Sequence, residues 1–164
     1  MIVQFLVAML LYDIFLVVYY VCYKTKINRL LEEINSLEDL LYLHTMDFQN
    51  IVVEILRRKG NKVKFTDKCG EYNNGYIINN IKYAEIWKHG LNHLVEIEAA
   101  LKLLHCMETN SIYRGILITL GDYKQNTIKF CFKNAIECIN GEQLLKMCKE
   151  VQRKKAALQT TIIN

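Results

Sequence analysis

The sequence predicts an α/β domain carried behind a long apolar helix, and three observations lead there. First, Gly115-Ile116-Leu117-Ile118-Thr119-Leu120 is a short β-branched apolar run closed by Gly121 and Asp122, the pattern of a strand buried on both faces. Second, the period then changes. Apolar positions move to Ile128, Phe132 and Ala135 with Lys124, Lys129 and Lys133 between them, which predicts a helix that buries one side. Ala135–Ile139 follows as a second short strand, and Asn140-Gly141 breaks it before a helical pattern in Leu144, Leu145 and Cys148. Strand, helix, strand, helix in that order predicts a parallel pair. Third, Ile2–Cys22 is an apolar run interrupted only by Gln4 and Asp13, and as a helix it would extend about 30 Å, the thickness of a hydrocarbon core.

Taken in order, the chain divides into an anchor (1–23), a helical stalk (24–45) and a domain (46–164). The anchor has no basic n-region and no small-residue cleavage site, so it reads as a retained membrane span rather than a signal peptide. Tyr19, Tyr20 and Tyr23 stand where an interfacial aromatic belt belongs. Lys24, Lys26 and Arg29 follow, and the positive-inside rule then puts the C-terminal domain in the cytoplasm. Asp13 costs insertion roughly 2.5–3.5 kcal/mol, while each of the many Leu, Ile, Phe and Val residues around it contributes about −0.3 to −0.6 kcal/mol, so insertion wins. Two roles are open to Asp13: a tolerated polar group, or a contact for a partner or a second copy.

In the stalk, Ile27, Leu30, Ile34, Leu37 and Leu41 form an a/d stripe over about two and a half heptads. The stripe fits equally a short parallel homodimer seam or a helix packed on its own domain. Met46–Gly60 predicts a helix that buries Phe48, Val52, Ile55 and Leu56, with Arg57, Arg58 and Lys59 in its last turn and Gly60 as its C′ residue. Strands are expected at Lys62–Phe65, Gly75–Ile78 and Lys82–Lys88, and a long helix at Leu91–Met107 with Leu94, Ile97, Leu101 and Leu104 on its apolar side.

Composition narrows the functional classes. Six cysteines at 22, 69, 106, 131, 138 and 148 contain no C-x-x-C pair and lie mostly in apolar patterns, so free buried thiols are expected rather than a zinc site or a disulfide framework. His93 and His105 are too far apart for an i, i+4 metal pair, and with His89 they read as surface or capping residues. Residues 46–164 carry 18 Lys and Arg against 12 Asp and Glu, a net of +6, which favours nucleic acid or anionic lipid as a partner.

Several stretches resemble the Mrr-type restriction endonuclease domain of the PD-(D/E)xK nuclease superfamily. GILITLG at 115–121 matches its GIIVTTG strand, YKQNTIKFCFKN at 123–134 its F-T-x-E-A-x-x-F-A helix, and AIECINGEQLL at 135–145 its final strand and E-x-L-L helix. The helix MDFQNIVVEILRRKG with the strand after it matches the opening of that domain. The resemblance spans about 46–150 and implies a restriction-endonuclease-like mixed sheet flanked by helices.

In that family a D-G-G-V-D-I turn and strand precede a strand ending in Q-C-K or E-x-K. The second Asp and the Glu or Gln hold a divalent cation, and the Lys polarises the attacking water or the phosphate. Aligning Gly75-Tyr76-Ile77-Ile78 on G-V-D-I puts Ile77 at the metal-binding Asp, and aligning Lys88 on the family Lys puts Ile86 at the Glu or Gln. Two of three site positions are then apolar. An alternative site of Glu71, Glu85 and Lys88 requires a bulge, because Glu85 and Lys88 alternate across a strand.

The resemblance therefore implies a membrane-anchored, catalytically degenerate module that binds DNA or a protein partner. Arg57, Arg58, Lys59 and Lys88 would meet nucleic acid, and Asp13, Ile34 and Leu37 would serve the membrane helix and oligomerisation. No cofactor is expected. Mg²⁺ enters only in the alternative reading, a membrane-tethered DNase using Glu71, Glu85 and Lys88. A third reading is a structural membrane-assembly protein acting through its span and stalk.

Overall fold

The computed structural model describes residues 2–67, 69 and 75–163. Helix α1 (Ile2–Glu33) runs unbroken through the predicted anchor–stalk boundary, and its apolar stretch is unburied among the described residues. By length and composition α1 is the one helix among the described residues able to cross a membrane. The chain then breaks at Asn35-Ser36 before α2 (Leu37–Tyr42). A capping box causes the break. Ser36 Oγ accepts from the Asp39 amide at 3.2 Å while Asp39 Oδ2 accepts from the Ser36 and Asn35 amides at 2.9 and 2.7 Å. The predicted single stalk helix is thus two helices.

The stalk stripe turns inward. Ile27, Leu31, Ile34 and Leu40 are almost fully buried in the domain's own core, with Leu30, Leu37 and Leu41 packed at its margin. Of the two alternatives for the stripe, the structure shows packing on the chain's own domain, with Ile34 buried and Leu37 partly so. An a/d stripe and a core-facing stripe are the same pattern in sequence; only a complementary surface elsewhere in the chain distinguishes them. That surface belongs to α3 (Thr45–Arg58) and α6 (Gly141–Ile163). Gln152 of α6 donates to the Leu31 and Ile34 carbonyls at 2.7 and 2.9 Å, and Lys149 donates to Ile34 at 3.1 Å. These bonds satisfy carbonyls that the end of α1 would otherwise leave unpaired.

Helix α3 buries Phe48, Val52, Ile55 and Leu56 as expected. It ends in a Schellman turn: the Gly60 amide donates to Arg57 at 2.9 Å and the Asn61 amide to Leu56 at 3.1 Å, with Gly60 at φ +91°. Strands β1 (Val63–Thr66), β2 (Gly75–Ile78) and β3 (Lys82–Trp87) follow as an antiparallel meander. Asn79 and Asn80, at φ 54° and 61°, make the tight turn between the last two, a position where asparagine tolerates left-handed backbone.

Residues 91–96, expected as the start of a long helix, instead include β4 (Leu94–Val95), and α4 begins at Ile97 and runs to Thr109. Next come β5 (Gly115–Thr119), β6 (Asp122–Tyr123), α5 (Gln125–Lys133), β7 (Ile136–Ile139) and α6. The main sheet has the order β1-β2-β3-β5-β7, antiparallel at β1-β2-β3 and parallel at β3-β5-β7; β4 and β6 form a separate parallel ladder. This is the expected mixed sheet flanked by helices.

Two helical faces depart from expectation. Helix α4 buries Ala99, Ala100, Leu103, Cys106 and Met107 and leaves Leu101 about half exposed, because its phase is set where β4 ends rather than at Leu91. Helix α5 buries Thr127 and Cys131 and exposes Phe132. Thr127 Oγ1 donates to the Val95 carbonyl at 3.0 Å, which turns the small-residue side inward. The cysteines also differ. Cys69 and Cys106 form a disulfide, a bridge between the segment after β1 and α4. Cys131 and Cys148 are buried free thiols, Cys138 is half-buried and Cys22 is exposed on α1. Apolar context does not reveal a partner that lies 37 residues away in sequence.

Candidate active site

A metal-dependent nuclease needs its ligands on one face of the sheet, so strand parity decides which residues can meet. Ile77 pairs with Tyr83 across β2 and β3. Ile77, Tyr83 and Trp87 all pack in the cluster under α4, whereas Ala84 and Ile86 pack in the opposite cluster against α1 and α3. Glu85 therefore shares a face with Ile77 and Trp87, and Ile86 does not.

The register that put Lys88 on the family lysine is corrected by this parity. Ile86 and Ile77 lie on opposite sides of the sheet and could not converge on one cation. The E-x-K spacing that shares the face of Ile77 is Glu85-Ile86-Trp87, and Trp87 stands in the place of the lysine. Lys88 points away: its ammonium donates to the Leu43 carbonyl at the end of α2. Glu85 and Lys88 thus stay on opposite faces and no bulge unites them. Glu71 lies outside the described residues.

Glu85 is 1% exposed and accepts from Trp87 Nε1 at 2.9 Å. Above the indole, Lys102 Nζ sits 5.6 Å from the ring centroid, a cation–π distance, and His89 meets its edge at 5.3 Å. His93 lies 4.4 Å beyond His89, so two of the chain's four histidines form one aromatic group with Trp87. Tyr83 closes the other end. Its hydroxyl donates to the Cys69 carbonyl at 2.6 Å and occupies the space a side chain at Gly75 would need; a Cβ there would lie 1.8 Å from the Tyr83 oxygen. Burial, with the Glu85 charge beside it, pushes the Tyr83 phenol up to about 12, so it remains a neutral donor.

These residues do not fit a divalent cation. Mg²⁺ takes several oxygen ligands in near-octahedral order. Glu85 offers one carboxylate, already bonded to an indole, and Ile77 and Gly75 offer no side-chain oxygen. Among the described residues no group of three or more His, Cys, Asp or Glu side chains comes together.

The basic residues expected at nucleic acid are dispersed. Arg58 pairs with Glu54 at 2.8 Å and also bonds Asn28; Lys59 pairs with Glu150 at 2.7 Å. Arg57 is exposed and reaches the Val63 carbonyl at 3.4 Å. Asp13 lies exposed on α1. Trp87 and Tyr83 were missed by the sequence reading, although the signal was present: counting E-x-K from Glu85 rather than back from Lys88 lands on Trp87.

Comparison with known proteins agrees with this architecture. The family model described as restriction endonuclease, the Mrr catalytic domain, matches residues 40–148. Among solved structures, the DNA modification-dependent restriction endonuclease AspBHI is similar at 8% identity and a TM-score of 0.42, over 78% of this chain and 43% of that one. No curated protein matches the chain.

Proposed function

Because this chain belongs to the restriction endonuclease family of the Mrr catalytic domain, we propose that it is a membrane-tethered member that has lost cleavage and retains DNA binding. One observation carries the proposal: at the E-x-K positions that share a face, Trp87 stands where the family has its lysine, and its indole donates to Glu85. With an indole where the family has its lysine and Ile77 where it has its metal-binding Asp, these two positions supply neither the cation ligand nor the group that activates water or the scissile phosphate. Helix α1 supplies the tether, and the positive flank of Lys24, Lys26 and Arg29 argues for a cytoplasmic domain.

The net charge of +6 over residues 46–164 favours a polyanion, and contacts made through scattered cations are sequence-independent and salt-sensitive. A role through a stalk seam is disfavoured, since Ile34 and Leu31 are already buried. The test is a mobility shift of labelled duplex DNA by the full chain in mild detergent over a salt series. Binding that weakens steeply with salt and ignores sequence is expected. A lack of binding at low salt would contradict DNA as the ligand and favour a protein partner.

A further inference from the structure

A cleft of about 850 Å³ lies between α1, α3 and the β1–β2 edge, on the far side of the sheet from Glu85. Its lining includes Tyr20, Tyr23 and Lys24 from α1, Arg57 from α3, and Phe65 and Tyr76 from the strands. We propose that this cleft holds the phosphate headgroup of an anionic lipid from the bilayer that α1 crosses, an assignment that rests on the membrane reading above.

Position is the first argument. The α1 residues that line the cleft are those where its long apolar stretch gives way to charge, the level of a bilayer's headgroups. Charge is the second. Arg58 and Glu54 both line the cleft and neutralise each other at 2.8 Å, while Lys26 is held outside it by Asp47 at 2.8 Å. That leaves Lys24 and Arg57 to set the sign. Lys24 lies 5.9 Å from the Tyr20 ring centroid, a cation–π position at the membrane side of the cleft. Arg57 is exposed, and its guanidinium can offer a phosphate two parallel N–H donors.

The rim supplies the third argument. Phe65 and Met46 are 60% and 63% exposed beside the cleft, apolar groups that a water-facing surface leaves uncovered and that acyl chains would cover. Anionic headgroups attract juxtamembrane cations strongly within a Debye length. The assignment moves Arg57 from the DNA-binding set to the membrane surface.

The experiment reconstitutes the full chain in nanodiscs of phosphatidylcholine alone or of phosphatidylcholine mixed with phosphatidylglycerol, and measures the thermal midpoint of the α/β domain and the lipid retained in native mass spectra. Phosphatidylglycerol should raise the midpoint by several degrees and be retained selectively. The Lys24→Gln/Arg57→Gln variant should lose both effects while keeping the wild-type midpoint in phosphatidylcholine. Equal midpoints in the two lipids, or an undiminished effect in the variant, would overturn the proposal. So would inorganic phosphate or glycerol phosphate reproducing the whole effect, since the ligand would then be a free phosphate. Carbonate washing of membranes separates the two readings: a released chain contradicts the membrane span and the lipid site together, whereas a retained chain without lipid discrimination contradicts the lipid site alone.

Discussion

One face of the sheet, covered by α1, α3 and α6, is lined by Ile78, Ala84, Ile86, Ile116 and Ile118, all buried and apolar. The other face lies under α4 and α5. Among the described residues all four buried polar or charged side chains, Thr66, Glu85, Thr119 and Thr127, fall on that side by strand parity or by packing. Tyr83 and Tyr123 join them, the latter donating to the Leu117 and Ile139 carbonyls at 2.6 and 3.0 Å. The apolar face holds the domain to the end of α1. The polar face is where a nuclease of this family keeps its chemistry, and here Glu85 accepts from the Trp87 indole while Tyr83, Tyr123, Thr119 and Thr127 bond to the backbone. On the proposed reading the face is not emptied where a metal site would stand; the Trp87 indole and the Tyr83 phenol fill it.

The largest expected effect breaks the apolar face. Ile34→Asp places a carboxylate at a position 1% exposed within the main core, at a cost of several kcal/mol, and should unfold the domain. Were Ile34 a dimer seam, the same change would lower the mass in light scattering and leave the thermal transition in place. Circular dichroism with light scattering on the detergent-solubilised chain distinguishes the two.

The polar face is sharpened by its disulfide. Closing Cys69 to Cys106 over 37 residues stabilises by about 4 kcal/mol in the loop-entropy account. Reductant should lower the denaturation midpoint of the wild type and leave Cys106→Ser, already lowered, unmoved. Equal midpoints with and without reductant in the wild type would show that the bond is absent. The bond also bears on sidedness, since disulfides persist in oxidising compartments and the basic flank of α1 argues for a reducing one. Acid quenching of intact cells followed by alkylation decides between them: blocked thiols at Cys69 and Cys106 match the bond in the structure and contradict the cytoplasmic reading, and free thiols support that reading.

A smaller effect lies at the joint between α1 and α2. The Asn35 and Ser36 amides, the former more strongly, hold the Asp39 carboxyl below its ordinary range. A depressed folded-state value contributes stability above the unfolded value, and that stability is lost as pH falls through the folded one. Asp39→Asn should therefore be less stable than wild type at neutral pH, with the gap closing in acid. A gap in urea midpoints that is constant with pH would contradict the carboxylate's role.

Much of this was legible in the sequence, and what was not has identifiable causes. Strands β5 and β7 and helix α3 were readable because local pattern and tertiary role agree: Gly115–Thr119 is buried on both faces, and Phe48, Val52, Ile55 and Leu56 share one side. The faces of α4 and α5 differ from the pattern because small residues, Ala99, Ala100 and Thr127, share the buried side with Leu103 and Met107 while Leu101 and Phe132 face out. A lysine at 88 draws the motif onto Ile86, which strand parity sets on the face opposite Ile77. Period 2 makes a one-residue shift a change of face, so the β2–β3 register is what places Glu85 and Trp87 on the side of Ile77.

The central claim is that the Glu85–Trp87 pair has replaced a metal site, and plasmid cleavage tests it most directly. Supercoiled DNA incubated with the full chain and either Mg²⁺ or Mn²⁺ should stay supercoiled, at the level of a Glu85→Gln control. Nicking by the wild-type chain that disappears in Glu85→Gln would contradict the account, since it would make Glu85 a working ligand.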